Sequence, residues 1–332
     1  MGEINKEVIL KVENLYKYFP LKRTVFDVIN NKPIKKVKAV DGVDFDVYKG
    51  ENIGLVGESG CGKSTLARTI IRLYESTSGG VYFDGSDFTK LKGKEIREKR
   101  KKIQMIFQDP YSSLNPRMTV QETLAEPLLY HEICRESEVN NKIKELLSMV
   151  GLPSYAANRY PGEFSGGQRQ RIGIARAISV NPDLILADEP VSALDVSIQA
   201  QVINLINDLR KQLGLTVVFI SHDLGVVKYI TNRVAVMYLG KIVEIGQTKD
   251  IFNNPAHPYS NILTKAAPSL DPRKRNDKVI IEGEIPSPIN IPTGCRFHPR
   301  CPIADEICKR EEPKLRLISN DRQVYCHKPL YK

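Results

Sequence analysis

Gly57-Glu58-Ser59-Gly60-Cys61-Gly62-Lys63-Ser64-Thr65 decides the fold, because it satisfies the phosphate-loop pattern G-x-x-x-x-G-K-[ST] at every fixed position. Its glycines let the backbone turn tightly, so that successive N–H groups point into one anion-sized hollow. Lys63 would reach the β- and γ-phosphates of a triphosphate, and Ser64 would ligate Mg²⁺. A helix opening at Ser64 would aim its positive dipole end at the charge. The preceding run Asn52-Ile-Gly-Leu-Val56 is short and apolar, as a buried parallel strand should be. A glycine-rich turn with a stray lysine would lack this strand-loop-helix setting.

Working outward, three more apolar runs end in polar residues capable of chemistry. Ile103–Phe107 ends at Gln108, Leu184–Ala187 ends at Asp188-Glu189, and Val217–Ile220 ends at Ser221-His222. In a parallel α/β sheet, ligands bind beyond the carboxyl ends of the strands, so these residues are expected on the edge that carries the phosphate loop. Asp188 would hold Mg²⁺ directly or through water, Glu189 would polarise the attacking water, His222 would contact the γ-phosphate, and Gln108 would touch metal and water. Singly, a strand-end glutamine is usually a loop contact and a lone histidine is usually structural. Together with the loop they describe a site for phosphoryl transfer, on an α/β P-loop NTPase fold.

The stretch from Gln108 to Asp188 interrupts the alternation of strand and helix. Glu136 to Val150 is helical, with Val139, Ile143, Leu146, Leu147 and Val150 on one face, which predicts an inserted helical subdomain over about 110–175. It closes at Phe164-Ser165-Gly166-Gly167-Gln168, where a serine and two glycines precede a helix and offer a second anion site. Before the loop, Val8–Val12 reads as a strand, Leu15–Phe19 as an exposed aromatic cluster, and Lys38–Tyr48 as a second strand in its later part. After it, Asp195 can cap a helix with the stripe Val202, Leu205, Ile206 and Leu209. Leu239-Gly240 marks a hairpin between Arg233–Tyr238 and Lys241–Ile245. Beyond Phe252, prolines at 255, 258, 268, 272, 286, 288 and 292 punctuate a linker leading to a cysteine-bearing module. The domains are therefore placed at 1–252 and 253–332.

Composition narrows the setting. At 332 residues and 41% hydrophobic residues the chain can bury one large core and a smaller one. Its formal charge of +10 concentrates in Lys22–Lys38 and Lys90–Lys102. The second stretch interleaves Glu95 and Glu98 and reads as a solvated helix face, although both could meet anionic lipid or an acidic partner. Met1–Lys6 lacks the pattern of a signal peptide, and no apolar run approaches the ~18 residues that span a bilayer. A peripheral protein of the cytoplasmic membrane face is expected. Its six cysteines should then be thiols or metal ligands rather than disulfides.

The phosphate loop, Gln108, Ser165-Gly166-Gly167-Gln168, Asp188-Glu189, Ser192–Asp195 and His222 resemble, in order and context, the Walker A, Q-loop, signature, Walker B, D-loop and H-loop of an ATP-binding-cassette (ABC) ATPase. The resemblance implies ATP and Mg²⁺ as ligands. It also implies that two cassettes pack head to tail, so that Lys63 and Ser165 serve different ATP molecules. Phe164 departs from the commoner leucine. The adenine-stacking aromatic looks like Phe19, with Tyr18 as the rival. Gln108–Thr119, Ala256-His-Pro-Tyr259 and the cysteine tail are similar to the ATP-binding subunits of bacterial oligopeptide and dipeptide importers, a group that includes nickel importers. The basic insertion before Ala39 is closest to the F-type subunit. A partner ATPase, two permeases and an external substrate-binding protein follow from that resemblance.

The tail carries Cys295, Cys301, Cys308 and Cys326, with His298 and His327 nearby, and no interval matches the C-x₂₋₄-C spacing of zinc sites. Four thiolates are the usual set for a [4Fe-4S] cluster, and resemblance to importer subunits that carry one favours it over zinc or free thiols. Cys134 reads as helix packing. Two other functions are carried forward. One is a soluble ATPase acting on nucleic acid, suggested by the charge but lacking long coiled-coil insertions or a second cassette. The other is a regulatory module whose cysteine tail senses iron or redox state.

Overall fold

The structure, a computed structural model, describes residues 7–23, 30, 33–266, 283–319 and 321–330. Residues 24–29, 31 and 32 of the basic stretch and its turn signal, and prolines 268 and 272, lie outside the described residues. The chain divides into two units: one takes Tyr48–Asn52 and Lys90–Ser221, and the other takes Val8–Val47, Ile53–Thr89 and His222–Lys332.

The second unit begins with a four-stranded sheet of order β2-β1-β4-β5. These strands are β1 (Val8–Pro20), β2 (Lys36–Tyr48), β4 (Ser78–Phe83) and β5 (Ser86–Asp87), while β3 (Asn52–Val56) belongs to another sheet. β1 runs on through the aromatic cluster expected to follow it. Its pairing with β4 shifts register between Glu13 and Tyr16, where Asn14 adopts φ 46°, and Leu15 is thereby fully buried. β3 is buried at all five positions and delivers the chain into the phosphate loop. The helix Lys63–Ile70 follows, burying Leu66, Ala67 and Ile70.

In the first unit, β6 (Ile103–Ile106), β7 (Leu184–Asp188) and β8 (Thr216–Ile220) lie in the order β8-β7-β6. They are parallel, with Ile103 opposite Leu184 and Leu184 opposite Thr216. Every residue of β7 and β8 is buried, which is why their sequences are continuous apolar runs rather than alternating ones. Between β6 and β7 the chain forms helices. The helix Glu136–Met149 buries Val139, Ile143, Leu146 and Leu147, and Val150 closes it. The helix Val196–Leu213 buries Ile203 beside Val202, Ile206 and Leu209, while the expected Leu205 is half-buried. The basic helix Gly93–Lys102 buries no residue, so it is the solvated face its charges suggested.

The second unit resumes with β9 (Arg233–Tyr238) and β10 (Lys241–Gln247), the expected hairpin, turning at Leu239 and Gly240. β9 also lies parallel to β3, with Val56 opposite Val236. The tail adds β11 (Leu315–Ser319) and β12 (Arg322–Tyr325), and β12 pairs with β10 to give the order β11-β12-β10-β9-β3. A buried pair fastens this junction. Glu244 of β10 is fully buried and accepts from the backbone N–H of Ala256 and of His257, each at 2.9 Å, and from Arg322 Nη2 at 2.8 Å. Among the described residues no helix is long and apolar enough to cross a membrane.

Candidate functional site

The phosphate loop is held in its cradle from two sides. A Cβ at Gly62 (φ 109°) would sit 2.1 Å from the Ala39 carbonyl oxygen, and one at Gly57 (φ 154°) would sit 2.1 Å from that of Met237. Only glycine fits between β2 and β9 at these two points. Lys63 is 4% exposed, and its Nζ donates to the carbonyl oxygens of Gly57 at 2.8 Å and Glu58 at 3.0 Å. Cys61 is buried with its Sγ 3.7 Å from that Nζ, and burial pushes its thiol pKa up. Ser59 and Gly60 are exposed, and Ser64 and Thr65 are half-buried at the start of the helix. His222 is exposed just before the helix Leu224–Ile230.

Tyr18 and Phe19 are both half-buried on β1, with different partners. The Tyr18 hydroxyl donates to Asp41, whose carboxylate is also paired with Arg296. Burial raises the tyrosine pKa, and these two partners hold Asp41 below the usual carboxylate range despite its own burial. The Phe19 ring meets Tyr74 edge-on at 5.4 Å, with Lys17 Nζ 4.8 Å from its centroid.

In the first unit, the expected residues fall into two groups. Asp188 is buried at the end of β7, and Glu189 follows with φ 45° and its N–H bonded to the Ile220 carbonyl at 3.0 Å. Gln108 Nε2 donates to Glu189 Oε2 at 3.1 Å, which brings a strand-end glutamine and a candidate base into direct contact. Ser165 caps the helix Gly166–Ile178: its Oγ accepts from Gln168 N at 3.3 Å, and Gln168 Oε1 accepts from Ser165 N at 3.0 Å. Phe164 is buried, so the aromatic replacement serves packing. Gly167 has no room for a side chain, since a Cβ there would lie 2.4 Å from Ile198 Cγ2.

Cys295, Cys301, Cys308 and Cys326 line one pocket together with His257, Phe297, His298 and His327. Burial raises the thiols, Cys295 to about 11 and Cys326 to about 12. The two nearby histidines are turned to backbone oxygens: His298 Nδ1 lies 2.9 Å from Cys295 O, and His327 Nε2 lies 2.9 Å from Glu311 O. Among the described residues no three or more His, Cys, Asp or Glu are grouped to hold a metal ion. The four thiols nevertheless share one pocket, and metal binding there would require their deprotonation.

Sequence reading missed what grips the loop from the tail. Tyr259 Oη accepts from Glu58 N at 2.9 Å, and Arg300 holds the Glu58 carboxylate at 2.7 and 2.9 Å. The partners lie 201 and 242 positions from Glu58, and no local pattern signals such a pairing.

Comparison with known proteins gives the following. The ABC transporter family pattern matches residues 40–192, and that of the oligopeptide/dipeptide transporter C-terminal region matches residues 243–308. The chain is 50% identical over 330 residues to the oligopeptide transport ATP-binding protein AppF of Bacillus subtilis, covering 98% of this chain and 99% of that one. It is 52% identical to the oligopeptide transport ATP-binding protein OppF of Salmonella typhimurium, covering 93% of each. Among solved structures it resembles the dimeric post-hydrolysis state of the ATP-binding cassette MJ0796 bound to ADP and Pi. The TM-score is 0.63 at 30% identity, covering 72% of this chain and 98% of that one.

Proposed function

The chain belongs to the ABC transporter ATP-binding family, in its oligopeptide/dipeptide branch, and from that premise we propose that it binds and hydrolyses ATP to drive peptide import through a membrane transporter. The observation that carries this is the glycine-only cradle around a buried Lys63, whose Nζ is held against the loop's own carbonyl oxygens, ready to exchange them for phosphate.

In this reading the loop from Gly57 to Thr65 wraps the phosphates, Lys63 binds the β- and γ-phosphates, and Phe19, with Tyr18 the rival, packs on the adenine. Ser64, Asp188 and Gln108 are the Mg²⁺ set; when bound, the ion neutralises charge on the phosphate oxygens. Glu189 takes the proton of a water whose oxygen attacks the γ-phosphorus, while the bond to the β,γ-bridging oxygen breaks to leave ADP and phosphate. Gln108 orients Glu189 through their hydrogen bond, and His222 donates to the γ-phosphate. Ser165, Gly166, Gly167 and Gln168 serve the nucleotide bound by a second cassette. The further partners are an unlike ATPase, two transmembrane permeases and an external binding protein, with this chain peripheral on the cytoplasmic face of the membrane. The domains are read as 1–252 and 253–332.

Two tests follow. Glu189→Gln should retain ATP binding while turnover in the assembled transporter falls by at least a hundredfold, and retained turnover would refute the base assignment. A finer reading makes the four tail cysteines the ligands of a [4Fe-4S] cluster, supported by their shared pocket. Anaerobic purification should then give about four irons and four sulfides per chain, and metal-free protein would dismiss it.

A further inference from the structure

The second residue of the phosphate loop is a carboxylate, an awkward charge at the mouth of an anion site, and the tail neutralises it. Both oxygens of Glu58 are held by Arg300, at 2.7 Å to Nη1 and 2.9 Å to Nη2. The Arg300 side chain is 4% exposed and that of Glu58 19%. The two-point geometry is that of a guanidinium fork on a carboxylate, which fixes orientation as well as charge. That contact holds the arginine firmly protonated, above its ordinary range.

The loop backbone at the same residue is fixed by a second group from beyond the cassette core. Glu58 N donates to the hydroxyl of Tyr259, a fully buried ring packed on Tyr238 at 4.7 Å and on Phe297 at 5.3 Å. Arg300 closes the short turn His298–Arg300 and immediately precedes Cys301 of the cysteine pocket. The Glu58 carbonyl, in turn, is one of the two that hold Lys63 Nζ. One residue of the loop thus has its side chain, its N–H and its carbonyl engaged, two of the three by the tail.

We propose that Arg300 and Tyr259 are positioning residues for nucleotide binding: the tail neutralises Glu58 and fixes its backbone, so that the loop can accept a triphosphate. This rests on the reading of the loop as the ATP site. Loss of Arg300 leaves a carboxylate with no counter-charge facing the incoming phosphates, and ATP affinity falls. Because Arg300 is joined in sequence to Cys301, a change in the cysteine pocket has a short covalent route to the loop.

The test is ATP binding by the full chain, measured by calorimetry, with thermal unfolding as a control for folding. Wild-type binding establishes the ATP reading separately from the inference. Arg300→Met should raise the dissociation constant for ATP at least tenfold. Adding Glu58→Gln to it should recover most of that loss, because the offending charge is then gone. A merely structural Arg300 predicts that loss and recovery appear in the thermal midpoint while the ATP affinity of the folded protein stays unchanged. In the assembled transporter the same variant should raise KM for ATP more than it lowers kcat. Should Arg300→Met not fold, Arg300→Lys keeps the charge but not the fork and should raise the dissociation constant about threefold. Unchanged ATP affinity in the folded single variant, or a double variant as weak as the single one, overturns the proposal.

Discussion

Arg322→Met should loosen the attachment of the tail to the cassette more than any surface change in this protein. Glu244 is 0% exposed and the Arg322 side chain 6%. Their contact places Arg322 Nε at 3.2 Å and Nη2 at 2.8 Å from one carboxylate oxygen. Removing one partner of a buried ion pair typically costs about 3–5 kcal/mol, because the other charge is left without compensation. Here Glu244 keeps two backbone donors, Ala256 N and His257 N, so the lower end applies, about 3 kcal/mol. Methionine retains most of the apolar stem, so little of the loss is packing. At 1.4 kcal/mol per tenfold change, the opening equilibrium rises by a factor of about a hundred. Amide hydrogen exchange at Ala256 and His257 reports this directly, since both N–H groups end on Glu244. Their protection should fall by about two orders of magnitude. Glu244→Gln in the same chain should restore part of it. A loss below about 0.5 kcal/mol, or no recovery in the double variant, would refute the account of an uncompensated carboxylate.

Three further outcomes can be checked. His257 is buried and neutral, its pKa lowered by burial from 6.5 to about 3; the unfolded chain therefore takes up the proton first. Stability should be lost as pH falls from about 6.5 toward 3, by roughly 1.4 kcal/mol per pH unit, and His257→Asn should flatten that slope in urea titrations. Gly62→Ala places a Cβ 2.1 Å from the Ala39 carbonyl at φ 109°, so ATP binding should be lost while the rest of the chain keeps its circular dichroism. Ser165→Ala removes the cap on Gln168 N and should cost about 1 kcal/mol in stability; a much larger drop in transporter turnover would show that the hydroxyl also meets nucleotide.

The chemistry-bearing elements were legible because their signals are local. The phosphate loop needs glycines at fixed spacing, parallel strands buried on both faces need unbroken apolar runs, and helix Glu136–Met149 needs one apolar stripe. Where reading from sequence fell short, the cause was also physical. The aromatic cluster at Leu15–Phe19 does not read as part of β1, because a bulge at Asn14 breaks the alternation that marks a strand. Spacing selects Leu205 rather than Ile203, because a stripe drawn from spacing does not know which side its neighbours press on. The tail cysteines suggest a ligand set by their number and by resemblance to importer subunits, while the pocket they share depends on burial that spacing cannot report.

The sequence by itself determined the nucleotide chemistry and the α/β architecture, because each rests on backbone preferences and side-chain types within a few residues of one another. Only the tertiary structure decided that the tail completes the loop. Arg300 and Tyr259 reach Glu58 across 242 and 201 positions, and Arg322 reaches Glu244 across 78. Such pairings are chosen by the pairing of β12 with β10 and by the cost of leaving a buried charge uncompensated, neither of which leaves a periodic trace in the chain.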